Sequence, residues 1–256
     1  MWMGTAREQN SKKQCNGGNI MEAFSRSELL FGKDGMHRLQ RAHVAVVGIG
    51  GVGCALTEAL VRGGIGALNI VDHDVIDITN INRQLIATRR NVGKSKAACM
   101  RDRIYEINPD CRVYIYEMFY AEQTQAALDL KGIDYVADAI DSIKSKILLI
   151  QNAYEAGTPI ISAMGAGNKL DPARFQIADL YETRVCPVAR ILRRELKKRN
   201  IEKLNVVYSD EQPIQAAGEG EMTAHAAPGS ASFVPPVMGY IMAGKIIRDI
   251  AMGKTE

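Results

Sequence analysis

The sequence predicts a doubly wound α/β fold: a mostly parallel sheet with helices on both faces, preceded by an N-terminal arm and followed by a mixed C-terminal extension. Strand-like apolar runs alternate with helical patterns through most of the chain, as a parallel sheet with crossover helices requires. A glycine-rich turn, GIGGVG at 48–53, joins the first such run to the first helix. With 256 residues, 46% of them hydrophobic, the chain can bury one large α/β core with a modest appendage, and a multi-domain machine is not expected.

In chain order, residues 1–20 are polar, rich in Gly and Asn and without apolar periodicity, so a disordered tail is expected. Residues 21–42 read as an arm of short helical pieces carrying Leu29, Leu30, Met36 and Leu39, interrupted at Gly32 and Gly35. The main α/β domain is placed at 43–166. Its strands are expected at 43–48, 67–72, 111–118, 134–141 and 158–164, with helices near 52–63, 94–107, 121–131 and 143–156. Beyond Gly167 the pattern changes, and 167–256 is assigned to the extension: strands at 174–180 and 204–209, a basic helix near 187–200, a polar mobile loop at 210–231, and a closing helix after Pro235 and Pro236.

Composition narrows the function less than the motifs do. Lys and Arg number 32 against 29 Asp and Glu, and a net charge of +3 leaves any polyanion to be met by a local cluster. Five cysteines, at 15, 54, 99, 111 and 186, make no C-x-x-C pair, which argues against a disulfide framework and for a reducing, cytoplasmic setting. No run approaches the length of a membrane span, so no membrane association is expected. His37, His43, His73 and His225 show no metal-ligand spacing.

The glycine turn is the first chemical signal. After a strand and before a helix, Gly48, Gly50, Gly51 and Gly53 let a phosphate approach the helix N-terminus, the arrangement that makes the fold Rossmann-like. Asp72 closes the next strand, where a ribose-binding carboxylate would sit. By this motif alone a dinucleotide oxidoreductase is a fair reading. What moves it is the polar group that follows: Asp74, Asn80, Asn82, Arg83 and Gln84, then Lys96 just inside a helix. Hydride transfer needs an apolar nicotinamide pocket, whereas Arg and Lys converging on phosphates suit ATP losing pyrophosphate. Further on, ARILRRELKKRN at 189–200 supplies Arg190, Arg193, Arg194, Lys197 and Lys198. On a helix 190, 194, 197 and 198 share one side, with 193 adjoining, which fits a stripe tracking nucleic-acid phosphates or, alternatively, a solvated face.

GIGGVG, DHDVIDITNINRQ (72–84), VGKSKA (92–97) and DAIDS (138–142) resemble, in order and spacing, the ubiquitin-activating-enzyme superfamily that includes the molybdopterin and thiamine sulfur-carrier adenylyltransferases. Within it, residues from about 22 to 252 are most similar to the tRNA threonylcarbamoyladenosine dehydratases. The likeness is carried by FSRSELLFGKDGMHRL, INPDCRV, EMFYAEQT, SAMGAGNKLDPARFQIADL and SFVPPVMGYIMAGKIIRDI.

The resemblance implies ATP as co-substrate and a threonylcarbamoyladenosine-bearing tRNA, modified next to the anticodon, as substrate. Arg83 and Lys96 match the phosphate-contacting pair, with Asn80 and Gln84 alongside, and Asp72 matches the ribose carboxylate. Asp141 matches the acid that positions Mg²⁺ and the reacting groups; an Asp that merely caps the next helix is the alternative. Arg26 matches an arm arginine that reaches the partner subunit's nucleotide in a homodimer. The implied reaction joins the threonyl carboxylate to AMP and then closes a ring intramolecularly, with net loss of water. A sulfur-carrier adenylyltransferase is the alternative, opposed by the absence of the paired cysteines that hold zinc in that branch, so no zinc is expected. A bound monovalent cation, Na⁺ or K⁺, and a partner from a sulfurtransferase system are left open. Cys186 stands where thioester-forming relatives place a nucleophile, and where close relatives carry an acid.

Overall fold

The computed structural model describes residues 20–214 and 228–254. The expected tail lies outside them but for its last residue, as do residues 215–227 of the expected loop. Among the described residues seven strands form one sheet: β1 (His43–Val47), β2 (Ala67–Val71), β3 (Arg112–Tyr116), β4 (Tyr135–Asp138), β5 (Ile160–Ala163), β6 (Phe175–Asp179) and β7 (Asn205–Ser209). Their order is β3-β2-β1-β4-β5-β7-β6, and every pairing is parallel except β6 with β7. The helices are α1 (Ile20–Ala23), α2 (Ser25–Arg41), α3 (Gly51–Arg62), α4 (Lys96–Ile107), α5 (Ile143–Ala156), α6 (Pro187–Lys197) and α7 (Val234–Met252).

The sheet is apolar on both sides. Along β1, Val44 and Val46 join a core shared with α3, α4 and α7, while Ala45 and Val47 face the opposite cluster with Leu149 and Ala153 of α5. Successive side chains on a strand point to opposite faces, so covering both faces demands the unbroken apolar run seen in the sequence. A smaller cluster seats α6 on β7 through Leu192, Leu196, Val206 and Tyr208. The extension therefore prolongs the same sheet. Its closing helix α7 lies across α3, and Gly239 lets the two backbones meet where any Cβ would strike the Val52 carbonyl. Asp249 of α7 accepts from the Tyr135 hydroxyl (3.1 Å) and Lys245 (2.5 Å), fastening the helix to β4.

Two expectations need correcting. Residues 121–131 form only a 3₁₀ turn at Gln125–Ala127. The Thr124 hydroxyl accepts from the Ala121 amide (3.0 Å) and donates to the Phe119 carbonyl (2.5 Å), local bonds that compete with a helix. Leu128 and Leu130 are then buried on either side of an exposed Asp129, the in-and-out alternation of extended chain rather than the one-sided face of a surface helix. Within α2 only Gly32 breaks helical geometry (φ 68°). Gly35 continues α2 and is small because Ala251 of α7 packs against it. Among the described residues no helix is long and apolar enough to cross a membrane.

Candidate active site

Between β1 and β4 the strand order reverses direction, and the crevice at the carboxyl ends of such strands is where doubly wound sheets bind ligands. A cavity of about 530 Å³ opens there. It gathers Gly48, Gly50, Gly51, Asp72, Asp74, Asn80, Arg83, Gln84, Lys96 and Asp141, the residues expected to bind nucleotide or act in catalysis except Gly53 and Arg26. Gly53 does not line it; it lies behind the turn, where a Cβ would collide with the Gly48 carbonyl. Gly48 itself has φ +95° against the Ala139 carbonyl, so both positions exclude a side chain. Gly50 begins α3 without a side-chain cap, which leaves first-turn amides available to an anion.

Asp72, at the end of β2, holds this turn in place. One carboxylate oxygen accepts from the Ile49 amide (2.6 Å) and the other from the Asp74 amide (2.8 Å). Beside it Lys96, the first residue of α4, donates to Asp74 (2.7 Å); Ser95 caps that helix through the Ala98 amide, which is why it starts at 96. The pair is lopsided: Lys96 is 7% exposed and Asp74 47%. Arg83 donates to the Thr79 carbonyl (3.0 Å) and Asn82 (2.9 Å). Asn80 belongs to a capping box, its side chain accepting from the Asp77 amide (3.0 Å), which shapes the turn that delivers Arg83. In that box the Thr79 hydroxyl and amide hold the Asp77 carboxyl below its usual range. Gln84 is buried, and its Oε1 is an acceptor without a partner among the described residues.

Across the cavity, Asp141 is exposed and its carboxylate has no partner among the described residues. The cap of α5 is supplied by Ser142, which accepts from the Ser145 amide (3.5 Å), so Asp141 is not a helix cap. Its free oxygens are of the hard kind that Mg²⁺ takes. Asp72, His73 and Asp74 also bring three ligand atoms within 4.8 Å, but their oxygens already serve Ile49, the Asp74 amide and Lys96.

Other side chains complete the cavity without having been singled out in the sequence. Met118, Phe119 and Tyr120 wall it beyond β3, with Phe119 edge-on to His73 at 4.9 Å. Beneath Asp141, Lys146 lies buried against Asp138 (2.8 Å).

The remaining expected residues lie elsewhere. Arg26 is exposed on α2, outside the cavity, beside Leu29 and Leu30, which are 87% and 81% exposed. On α6 Arg190, Arg194 and Lys197 are exposed, as is Lys198 at its C-cap. Arg193 is turned away from that stripe: its guanidinium donates to the Thr183 hydroxyl and carbonyl and to the Leu180 carbonyl, tying the turn before the helix. Cys186 is buried at the start of α6 and does not line the cavity. Burial pushes the thiols of Cys54 and Cys111 up to about 12.

Residues 24–254 match the model of the ThiF family. The chain is 44% identical over 242 residues to the tRNA threonylcarbamoyladenosine dehydratase of Bacillus subtilis (strain 168), covering 90% of this chain and 95% of that protein. Two crystal structures of the Escherichia coli tRNA N6-threonylcarbamoyladenosine dehydratase superpose on it with TM-scores of 0.83, one in complex with AMP and one with ATP. Their identities to this chain are 35% and 34%, and each alignment covers 91% of this chain and 95% of that one.

Proposed function

Because this chain belongs to the ThiF family, and within it to the tRNA threonylcarbamoyladenosine dehydratases, we propose that it uses ATP to dehydrate threonylcarbamoyladenosine in tRNA to the cyclic form. The observation that carries this reading is the single cavity in which the glycine turn, the Lys96–Asp74 pair and the free Asp141 carboxylate meet.

The strand order supports one direction for the nucleotide. With Asp72 ending β2 and Met118 to Tyr120 following β3, the nucleoside lies over that side and the phosphates over the glycine turn. The acceptor then approaches over β4 and β5, past Asp141 and the 165–167 turn. Lys96 exchanges Asp74 for a phosphate oxygen at little cost, because a half-exposed partner is easily returned to water. With Arg83 it neutralises charge that grows as the threonyl carboxylate attacks the α-phosphate and pyrophosphate departs. Asp141 together with phosphate oxygens would hold Mg²⁺, whose charge screens the same oxygens. The acyl adenylate is then closed by a nucleophile already within the substrate, expelling AMP, so the protein's part is positioning. Cys186, buried outside the cavity, is not needed for a covalent step. The sulfur-carrier alternative lacks its paired zinc cysteines in this sequence.

Arg26 enters this scheme only through a second copy. Two leucines as bare as Leu29 and Leu30 beside it favour an arm covered by a partner subunit in a cytosolic homodimer. Mixing Arg26→Ala with Lys96→Ala subunits should then recover part of the activity that either homodimer lacks; verified subunit exchange without recovery rules the cross-subunit arginine out. The reaction is tested by nucleoside mass spectrometry of threonylcarbamoyladenosine-containing tRNA incubated with the protein and ATP. Loss of one water is expected, and unchanged nucleoside in the presence of bound ATP would overturn the assignment.

A further inference from the structure

At the floor of the cavity, three polar side chains from separate elements are buried together. Asp138 closes β4, Ser162 sits directly opposite it in register on β5, and Lys146 reaches down from α5. Lys146 donates to Asp138 (2.8 Å), to the Ala163 carbonyl (2.9 Å) and to the Ser162 hydroxyl (3.3 Å). The Ser162 hydroxyl donates to the same Asp138 oxygen (2.5 Å), and the other Asp138 oxygen accepts from the Ile140 amide (3.1 Å). Side-chain exposure is 2% for Lys146 and nil for Asp138.

An ion pair this deep is an expensive way to fill space, since apolar side chains of similar volume usually stabilise as well or better. What the network supplies is direction. Its bonds end on the roots of two cavity-lining turns: Ile140, one residue before Asp141, and Ala163, where β5 gives way to 164–167. These turns form the acceptor side of the cavity, while the glycine turn, Asp72 and Lys96 lie on the other. We propose that Lys146 is a positioning residue. Through Asp138 and Ala163 it sets the distance between the Asp141 turn and the 164–167 turn, and so the alignment of the acceptor carboxylate with the α-phosphate. A misplacement of such groups by about 1 Å is enough to cost on the order of a hundredfold in rate.

The proposal rests on the dehydration assigned above and is tested with kinetics on the full chain. Lys146→Met alone would strand a buried carboxylate, so the informative variant is Lys146→Met combined with Asp138→Asn, which removes both charges and keeps an acceptor for Ile140. The expected outcome is a folded protein whose KM for ATP stays within about twofold while kcat for tRNA dehydration falls by about tenfold or more. A double variant with wild-type kcat, whatever its melting temperature, overturns the proposal, and so does a raised KM for ATP at unchanged kcat. If that variant fails to fold, Ser162→Ala decides, because it keeps the ion pair and deletes one hydroxyl. A severalfold lower kcat at unchanged KM supports positioning, and unchanged kcat refutes it. Wild type measured alongside separates the two readings: an inactive wild type sinks the assigned reaction and the proposal with it, whereas an active one leaves Lys146 to be judged by the variants alone.

Discussion

The two sides of the cavity handle charge in opposite ways. On the nucleotide side, Lys96 and Arg83 rest on partners that are cheap to leave: an Asp74 carboxylate 47% exposed, the Thr79 carbonyl and the neighbouring Asn82. On the acceptor side, Lys146 and Asp138 are fully buried with every bond made, and the group facing the cavity, Asp141, has no side-chain partner among the described residues. On the proposed reading, the groups that take up a ligand are weakly engaged or free, and the groups that hold the frame are saturated. The difference is energetic: a carboxylate half in water stays solvated when Lys96 leaves it, whereas breaking a fully buried pair costs roughly 3–5 kcal/mol.

The largest effect should come from the weakly held lysine. Lys96→Ala should lower kcat/KM by about a hundredfold or more, since it removes charge stabilisation that grows in the transition state. Thermal stability should change little, because Asp74 is left facing water. A strongly destabilised Lys96→Ala protein would break the comparison, for it would make this pair as structural as Lys146 with Asp138.

Next in size is Asp141→Asn. The carboxylate supports no helix cap and no ion pair, so the substitution should leave the melting temperature unchanged. Turnover should fall by about tenfold or more, with part of the loss recovered at raised Mg²⁺ as the weaker site is refilled by mass action. Wild-type turnover at low Mg²⁺ would remove Asp141 from the metal site.

The same contrast explains what could be read from the sequence. The nucleotide side is local: a glycine turn, an acid closing the following strand and a basic pair on the next crossover lie within 48–96, and backbone sterics tie their spacing to their role. The acceptor-side floor is not local. Asp138, Lys146 and Ser162 meet only because β4 and β5 pair in register beneath α5, and each taken singly reads as an ordinary strand-end or helix residue. The helix expected at 121–131 failed for a related reason: Ala, Gln and Leu favour a helix locally, but Thr124 bonds its own turn and the burial of Leu128, Leu130 and Ile133 is decided by the sheet face they cover. For Arg193 no periodicity distinguishes a phosphate contact from a guanidinium wrapped on the Thr183 turn, since both keep it beside the exposed face.

The smallest expected effect carries the comparison onto α6 and its C-cap, where the four exposed basic residues of the stripe fall into two kinds. Arg194 and Lys198 both donate to Glu195, at 3.0 and 2.9 Å, and these two bonds hold its carboxyl below the usual range. The side chains of Arg190 and Lys197 have no partner among the described residues. If this helix tracks tRNA phosphates, the unpaired cations should carry more of the contact, because the paired ones must first give up a carboxylate. Replacing Arg190 and Lys197 together by Gln should lower the slope of log affinity against log salt by roughly 0.7 to 0.9 per lost contact. The matching Arg194 and Lys198 double variant should lower it less, and neither should alter ATP binding. The loss should be alike for modified and unmodified tRNA, since phosphate contacts position a nucleic acid without reading its bases. Salt titrations of tRNA affinity for wild type and the two variants decide the matter. Equal loss in both would mean that self-pairing does not weaken a phosphate contact, and three identical slopes would place the tRNA on another surface and leave α6 a solvated face.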